Sequence, residues 1–151
     1  MKLKVIIPMV AAILLGYFCG KFVFQQYEKN ESVFQDAGIV YFLQQGVYTS
    51  TDSVAQNTDE LSDFLTTIED GKYYVYVGIT SKEENANKVK EAYQKENIEL
   101  YIKPVVVSNK EFLNNLEQYD ILLSACNTLD EMNAVLKTVV ASYQESVLNQ
   151  S

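Results

Sequence analysis

Aromatic and amide side chains alternate along two short tyrosine-rich segments of this chain. Tyrosine and β-branched residues are typical of β-strands, in which successive side chains point to opposite faces. Phe42 and Gln44 of the first segment would therefore share one sheet face with Tyr74 and Tyr76 of the second. Sugar rings stack on aromatic planes, and their hydroxyls exchange hydrogen bonds with amides and phenols. This pattern fits a carbohydrate-binding surface, although tyrosines also coat solvent-facing sheets that bind nothing.

The two segments, residues 41–49 and 73–80, align without gaps at one constant offset. The offset superimposes Gly46 on Gly78, and each segment runs into a polar stretch with helical spacing. Repetition of a strand, a glycine and a helix start favours an internal duplication over chance similarity. We interpret residues 39–107 as one domain built from a strand–helix unit used twice.

The predicted elements follow the order β-α-β-β-α-β. Strands are predicted at residues 39–47, 66–68, 73–80 and 100–107, and helices at residues 50–65 and 81–98. Asp70-Gly71 predicts a type I′ hairpin between the second and third strands, and Pro104 favours an edge position for the fourth. This order predicts an α+β fold, a four-stranded sheet with two helices on one face. The other face is expected to be open.

The composition argues against several classes of function. The chain has 151 residues and a net charge of -8, and it contains no histidine, arginine or tryptophan. An acidic chain without arginine is a poor nucleic-acid binder, and a chain without histidine lacks the usual general base and metal ligand. The acidic residues fall at helix and turn positions where solvated charges are usual. We therefore predict a protein that is not an enzyme and that uses neither a metal nor a cofactor.

The N-terminal region has the length and hydropathy of one membrane span. Residues 5–24 are apolar except for Lys21, and the lysines within residues 1–4 predict a cytoplasmic N-terminus. The alternative is a cleaved signal peptide, but Phe18 and Cys19 stand where small residues are needed for cleavage. We expect an uncleaved anchor in the lipid bilayer, followed by a stalk at residues 25–38 and an extracytoplasmic domain.

The C-terminal region, residues 108–151, predicts two amphipathic helices. Three Ser/Thr-x-x-Glu sequences, beginning at Ser81, Ser108 and Thr128, predict capping boxes at the starts of helices. Two of these boxes open the C-terminal helices, whose apolar residues recur at spacings of three and four. These apolar stripes either pack on the domain or bind a partner protein or a second copy. Cys126 lies on one stripe and is expected to be a small core residue.

Two short motifs resemble the signatures of the SPOR (sporulation-related repeat) domain family. Leu43-Gln44-Gln45-Gly46-Val47-Tyr48 is similar to its first signature, and the sequence from Tyr74 to Ala86 is similar to its second. The third strand lacks the Arg or Trp that the family often carries there. The resemblance covers about residues 39–106 and leaves out the C-terminal helices. It implies binding of peptidoglycan glycan strands stripped of their stem peptides, through five residues of the open sheet face: Phe42, Gln44, Tyr74, Tyr76 and Tyr101.

Two functions follow as alternatives. The first is a membrane-anchored protein that binds peptidoglycan at division or sporulation septa through the open sheet face. The second is a non-catalytic envelope scaffold whose C-terminal helices bind a division or sporulation partner. The first depends on Gln44, Tyr74 and Tyr76, whereas the second depends on the apolar stripes that contain Leu116 and Leu136.

Overall fold

The computed structural model describes residues 38–150. The strands are β1 (Gly38–Tyr48), β2 (Leu65–Glu69), β3 (Lys72–Thr80) and β4 (Tyr101–Val107). The helices are α1 (Thr51–Asn57), α2 (Glu83–Lys95), α3 (Lys110–Ala125) and α4 (Leu129–Tyr143), and a π-helical turn, Gln144–Leu148, continues α4. The α+β class, the four strands and the two C-terminal helices are confirmed.

Across residues 38–150, no helix is long and apolar enough to cross a membrane. The predicted span at residues 5–24, the predicted cytoplasmic residues 1–4 and nearly all of the predicted stalk lie outside the described residues.

The sheet has the strand order β2-β3-β1-β4, and every neighbouring pair is antiparallel. This is the arrangement of a split β-α-β fold, in which the third strand is inserted between the first two. β4 is an edge strand, which accommodates Pro104 because the outer side of an edge needs no backbone donor. Asp70 and Gly71 connect β2 to β3 with φ angles of 50° and 73°, as the predicted hairpin requires.

The first predicted helix is much shorter than its sequence pattern indicated. α1 begins after Ser50, whose side chain accepts a hydrogen bond from the Ser53 amide, and it ends at Asn57 rather than near Leu65. The following residues are rich in Asp, Ser and Thr, whose side chains compete with helical hydrogen bonds. Leu65 begins β2 instead and pairs with Tyr76 of β3.

Only one of the three predicted capping boxes forms. Thr128 and Glu131 cap α4 reciprocally, as predicted. α3 is capped one residue later than predicted, because the Asn109 side chain accepts from the Phe112 amide at 2.8 Å. α2 begins at Glu83 without a side-chain cap. Ser81 does not cap it, because its hydroxyl donates to a carboxylate of α3.

Helices pack on both faces of the sheet, so the expectation of a fully open second face is wrong. On the α2 face, Leu43 and Val77 form a core with Ala86 and Val89 of α2. α3 and α4 also contribute to this core, through Leu123, Cys126, Met132 and Leu136. The opposite face, here called the hairpin face, packs against the antiparallel pair α3 and α4. Its core joins strand residues to both helices: Val40, Phe42, Leu65, Tyr76, Ile79, Val107, Phe112, Leu116, Val139, Val140 and Tyr143.

The apolar stripes of α3 and α4 are therefore buried within the chain, which confirms the packing alternative. Leu116 and Leu136 are 0% and 1% exposed. Cys126 is a buried free thiol in the core on the α2 face, as predicted.

The two glycines that the duplication superimposes differ in how closely other side chains approach them. A Cβ atom at Gly78 would lie 2.4 Å from Cδ2 of Leu136, which is buried. Gly78→Ala is therefore expected to lower the free energy of unfolding by about 2 kcal/mol, because a packed core resists an added methyl group. Urea unfolding followed by circular dichroism measures this change.

Gly46→Ala is the matched control. A Cβ atom there would meet the Tyr48 hydroxyl at 2.5 Å, but the Tyr48 ring is only half-buried and can turn away. We expect a smaller loss than at Gly78. Equal losses would contradict the role assigned to the Gly78–Leu136 contact.

Candidate functional site

All five predicted site residues lie on the hairpin face. Phe42 and Tyr76 belong to its core, and Tyr74 packs against that core. Gln44 of β1 pairs directly with Tyr76 of β3 and with Tyr101 of β4, which places these three side chains on the same side of the sheet. The alternation inferred from sequence is thus correct across three strands.

Two of these residues are covered by the helices. Phe42 and Tyr76 are 3% and 1% exposed, and their rings meet edge to face with centroids 5.0 Å apart. The Tyr143 ring of α4 contacts Phe42 in the same geometry at 5.2 Å, and Phe112 of α3 contacts Tyr143. A ligand has no access to Phe42 or Tyr76 in this structure. These two aromatic rings belong to the buried core on this face and do not form part of its accessible surface.

The other three residues remain accessible. Gln44 and Tyr74 are half-buried, and Tyr101 is 63% exposed. A β-bulge at Gln45 shifts the register of β1 against β3, so that Val47 lies opposite Tyr74. The accessible side chains form a strip across β4, β1 and β3, which spans about 10 Å at the usual distance between strands.

Lys103 of β4 is a further member of this strip, and sequence reasoning missed it. It pairs with Phe42, so its side chain lies on the hairpin face. Its Nζ lies 4.9 Å from the centroid of the Tyr74 ring and 5.9 Å from that of Tyr76, and it donates a 3.3 Å hydrogen bond to the Tyr76 hydroxyl. A single lysine before a proline resembles an ordinary edge-strand residue, so only the strand pairing reveals its position. We call Gln44, Tyr74, Tyr101 and Lys103 the accessible strip.

The surroundings of Lys103 favour its charged form. Partial desolvation of the ammonium group lowers the pKa of Lys103, but the hydrogen bond to Tyr76 and the neighbouring Glu69 carboxylate raise it, and the net shift is upward. Lys103 therefore presents a positive charge beside the Tyr74 ring at neutral pH.

Thr67 of β2 lies on the hairpin face, one strand beyond the accessible strip. It pairs with Tyr74, and within residues 38–150 its Oγ1 is the one buried side-chain polar atom without a hydrogen-bond partner. Buried hydroxyls are usually hydrogen-bonded, but this atom has almost no exposed surface, so a ligand has no access to it in this structure.

A cavity of about 900 Å³ lies elsewhere. It opens between the α1–β2 connection, the end of α2 and the start of α4, and none of the predicted site residues lines it. Lys137 forms an ion pair with Asp63 at its rim, 3.4 Å apart. No group of three or more His, Cys, Asp or Glu side chains within residues 38–150 is arranged to hold a metal ion.

Tyr93 at this cavity predicts a sensitivity to high pH. Burial raises the pKa of Tyr93 from 10.0 to about 12, although a 2.6 Å hydrogen bond to Asn133 opposes the shift. The unfolded state then ionises at lower pH than the folded state, so stability falls as pH rises from 10 toward 12. Wild type should lose about 2 kcal/mol more over this interval than Tyr93→Phe, as measured by urea unfolding. Parallel losses would contradict this assignment.

Comparison with known proteins gives one match. The sequence model of the family described as SPOR domain matches residues 69–149, which is slightly more than half of the chain. The match includes β3, α2, β4 and both C-terminal helices, whereas the resemblance inferred from sequence left those helices out. β1 and α1 precede the matched segment. Neither the curated proteins nor the solved structures compared with the chain give a match.

Proposed function

Because this chain belongs to the SPOR domain family, whose domains are generally peptidoglycan-binding modules of cell division, we propose that its accessible strip binds peptidoglycan glycan strands. The proposed ligand is the strand stripped of its stem peptides, and the proposed setting is a division or sporulation septum. The role is binding without catalysis.

The observation that carries this proposal is the coexistence of an aromatic plane, an amide and a cation on one solvent-accessible strip. Tyr101 is exposed, and Tyr74 is accessible beside the hydrogen-bonding amide of Gln44. Sugar rings pack their C–H faces on such rings, while amide and hydroxyl groups fix their orientation. The strip lies at the sheet surface, which suits an extended polymer better than a small molecule that needs a deep pocket.

The proposal also includes attachment to the cell membrane through residues 5–24, with a cytoplasmic N-terminus. The apolar length of this segment and the lysines that precede it support this placement. Such an anchor would hold the strip close to the wall polymer on the outer side of the membrane.

The structure does not favour the scaffold alternative in the form predicted from sequence. A partner that binds the apolar stripes of α3 and α4 would have to displace them from the sheet, because Leu116 and Leu136 lie in its cores. We therefore do not propose a partner on these stripes.

Co-sedimentation with purified peptidoglycan sacculi tests the proposed function. The full chain, kept in mild detergent because residues 5–24 are apolar, is mixed with sacculi that an amidase has trimmed of stem peptides or with untrimmed sacculi. The expected result is binding that increases with trimming. An absence of binding to both preparations would refute the proposal and leave the family assignment and the fold unchanged.

A further inference from the structure

The accessible strip of this acidic chain carries one positive charge, which Lys103 of β4 supplies. The chain has a net charge of -8, yet the Lys103 ammonium group lies beside the ring on which a sugar would stack. The family often has an arginine on β3, but in this chain the β3 residues beside Gln44 include no cation. β4 supplies it instead, because Lys103 and Phe42 are directly paired.

The position of this ammonium group leaves it free to act on a ligand. An ammonium group has three donors, and the structure shows one of them directed to the Tyr76 hydroxyl. Tyr76 is buried and fixed by its contact with Phe42, so this hydrogen bond anchors the lysine at the inner edge of the strip. The remaining donors are available on the side of the half-buried Tyr74 ring. The flexible lysine stem allows the ammonium group to move from the ring toward an anion.

The proposed ligand has a matching anion. In peptidoglycan each stem peptide is joined by an amide bond to the lactyl carboxyl group of a sugar, so removal of the peptide by hydrolysis leaves a free carboxylate. A hydrogen bond between an ammonium group and a carboxylate is about twice as strong as one between neutral groups. On an untrimmed strand the same lactyl group is an uncharged amide, and the attached stem peptide takes up the space around it.

We propose that Lys103 is a specificity-determining residue that binds the carboxylate exposed on a glycan strand when its stem peptide is removed. This inference rests on the proposed function. It specifies the free carboxylate as the group by which the strip distinguishes trimmed from untrimmed strands. Tyr74 and Gln44 bind the sugar whether or not the carboxylate is free, and Lys103 adds the preference for the free acid.

Substitutions at Lys103 can remove the positive charge or keep it while the length of the side chain stays similar. Lys103→Gln removes the charge and keeps a hydrogen-bond donor, whereas Lys103→Arg keeps the charge. Lys137→Gln is the matched control, because it removes the same charge from an exposed side chain whose ion-pair partner, Asp63, lines the cavity outside the strip.

The experiment measures affinity of the full chain, in mild detergent, for two soluble glycan preparations. One consists of amidase-treated strands with free carboxylates, and the other of the same strands after conversion of the carboxylates to methylamides. Wild type, Lys103→Arg and Lys137→Gln are expected to bind the free acid about tenfold more tightly than the methylamide, as a charge-assisted hydrogen bond predicts. Lys103→Gln is expected to bind both equally and to lose the salt dependence of binding.

The outcomes separate this inference from the proposed function. If wild type binds both preparations with equal affinity, or if Lys103→Gln keeps the preference, the role of Lys103 is overturned and glycan binding stands. If wild type binds neither preparation, glycan binding and the role of Lys103 are both refuted.

Discussion

Asp120→Ala is expected to lower the free energy of unfolding by about 3 kcal/mol. Asp120 of α3 is 3% exposed, and its carboxylate accepts hydrogen bonds from the Thr80 hydroxyl, and from the Ser81 amide and hydroxyl at 2.9 and 2.5 Å. The Asn85 side chain donates to the Asp120 carbonyl oxygen at 3.0 Å. Removal of the carboxylate leaves several buried donors without their acceptor, and each hydrogen bond to a charged group contributes about 1.5–3 kcal/mol.

This cluster joins three elements, the end of β3, the start of α2 and the middle of α3. It is one of several polar contacts that attach α3 and α4 to the unit formed by β3 and α2, together with the Tyr93–Asn133 hydrogen bond. Urea unfolding of wild type and variant measures the loss. Glu117→Ala, an exposed carboxylate on the same helix, is the matched control and should change stability by less than about 0.5 kcal/mol. A similarly small loss for Asp120→Ala would contradict the structural role of the cluster.

Gln44→Ala combined with Tyr74→Ala is expected to weaken binding to trimmed glycan strands by about 30-fold, which corresponds to about 2 kcal/mol. A well-placed aromatic residue and the polar group beside it commonly carry most of the energy of a binding surface. Both side chains are half-buried at the sheet surface, and neither is one of the buried residues that form the two cores. Co-sedimentation with trimmed sacculi over a range of protein concentrations measures the change.

Tyr73→Ala is the matched control for this double variant. Tyr73 is adjacent to Tyr74 and also half-buried, but it pairs with Tyr48 and points to the opposite face. Its removal should leave glycan affinity within twofold of wild type. Equal losses in the control and the double variant would indicate that binding does not use the hairpin face.

Strand alternation allowed the sequence to predict which side chains share a face. Phe42, Gln44 and Tyr76 follow the period of two that every strand imposes, and the pairing of β1 with β3 brings them together. The hairpin at Asp70-Gly71 was also predictable, because few residues adopt positive φ angles in a two-residue turn.

The burial of Phe42 and Tyr76 was not predictable from the strands alone. An amphipathic helix shows that it must cover something, but its sequence does not specify which surface it covers. α4 meets Phe42 through Tyr143, a contact between residues far apart in the sequence. Only the position of α3 and α4 on the hairpin face divides its aromatic residues into buried core residues and accessible ones.

Asp120 and Lys103 were missed for a related reason. Charged residues on an amphipathic helix or an edge strand are usually solvated, so Asp120 and Lys103 gave no local signal. Their roles depend on partners supplied by other elements, Ser81 for Asp120 and Tyr76 for Lys103. The same interaction explains why the capping box predicted at Ser81 does not form.

Binding of the glycan strand to the accessible half of the hairpin face is tested most directly by NMR titration. The ¹⁵N-labelled full chain, in mild detergent, is titrated with a soluble amidase-treated glycan fragment. We expect backbone amide shifts concentrated at Gln44, Tyr74, Tyr101 and Lys103, with little change in α2. Shifts centred on the cavity around Tyr93, or no shifts at ligand concentrations that saturate binding to sacculi, would contradict it.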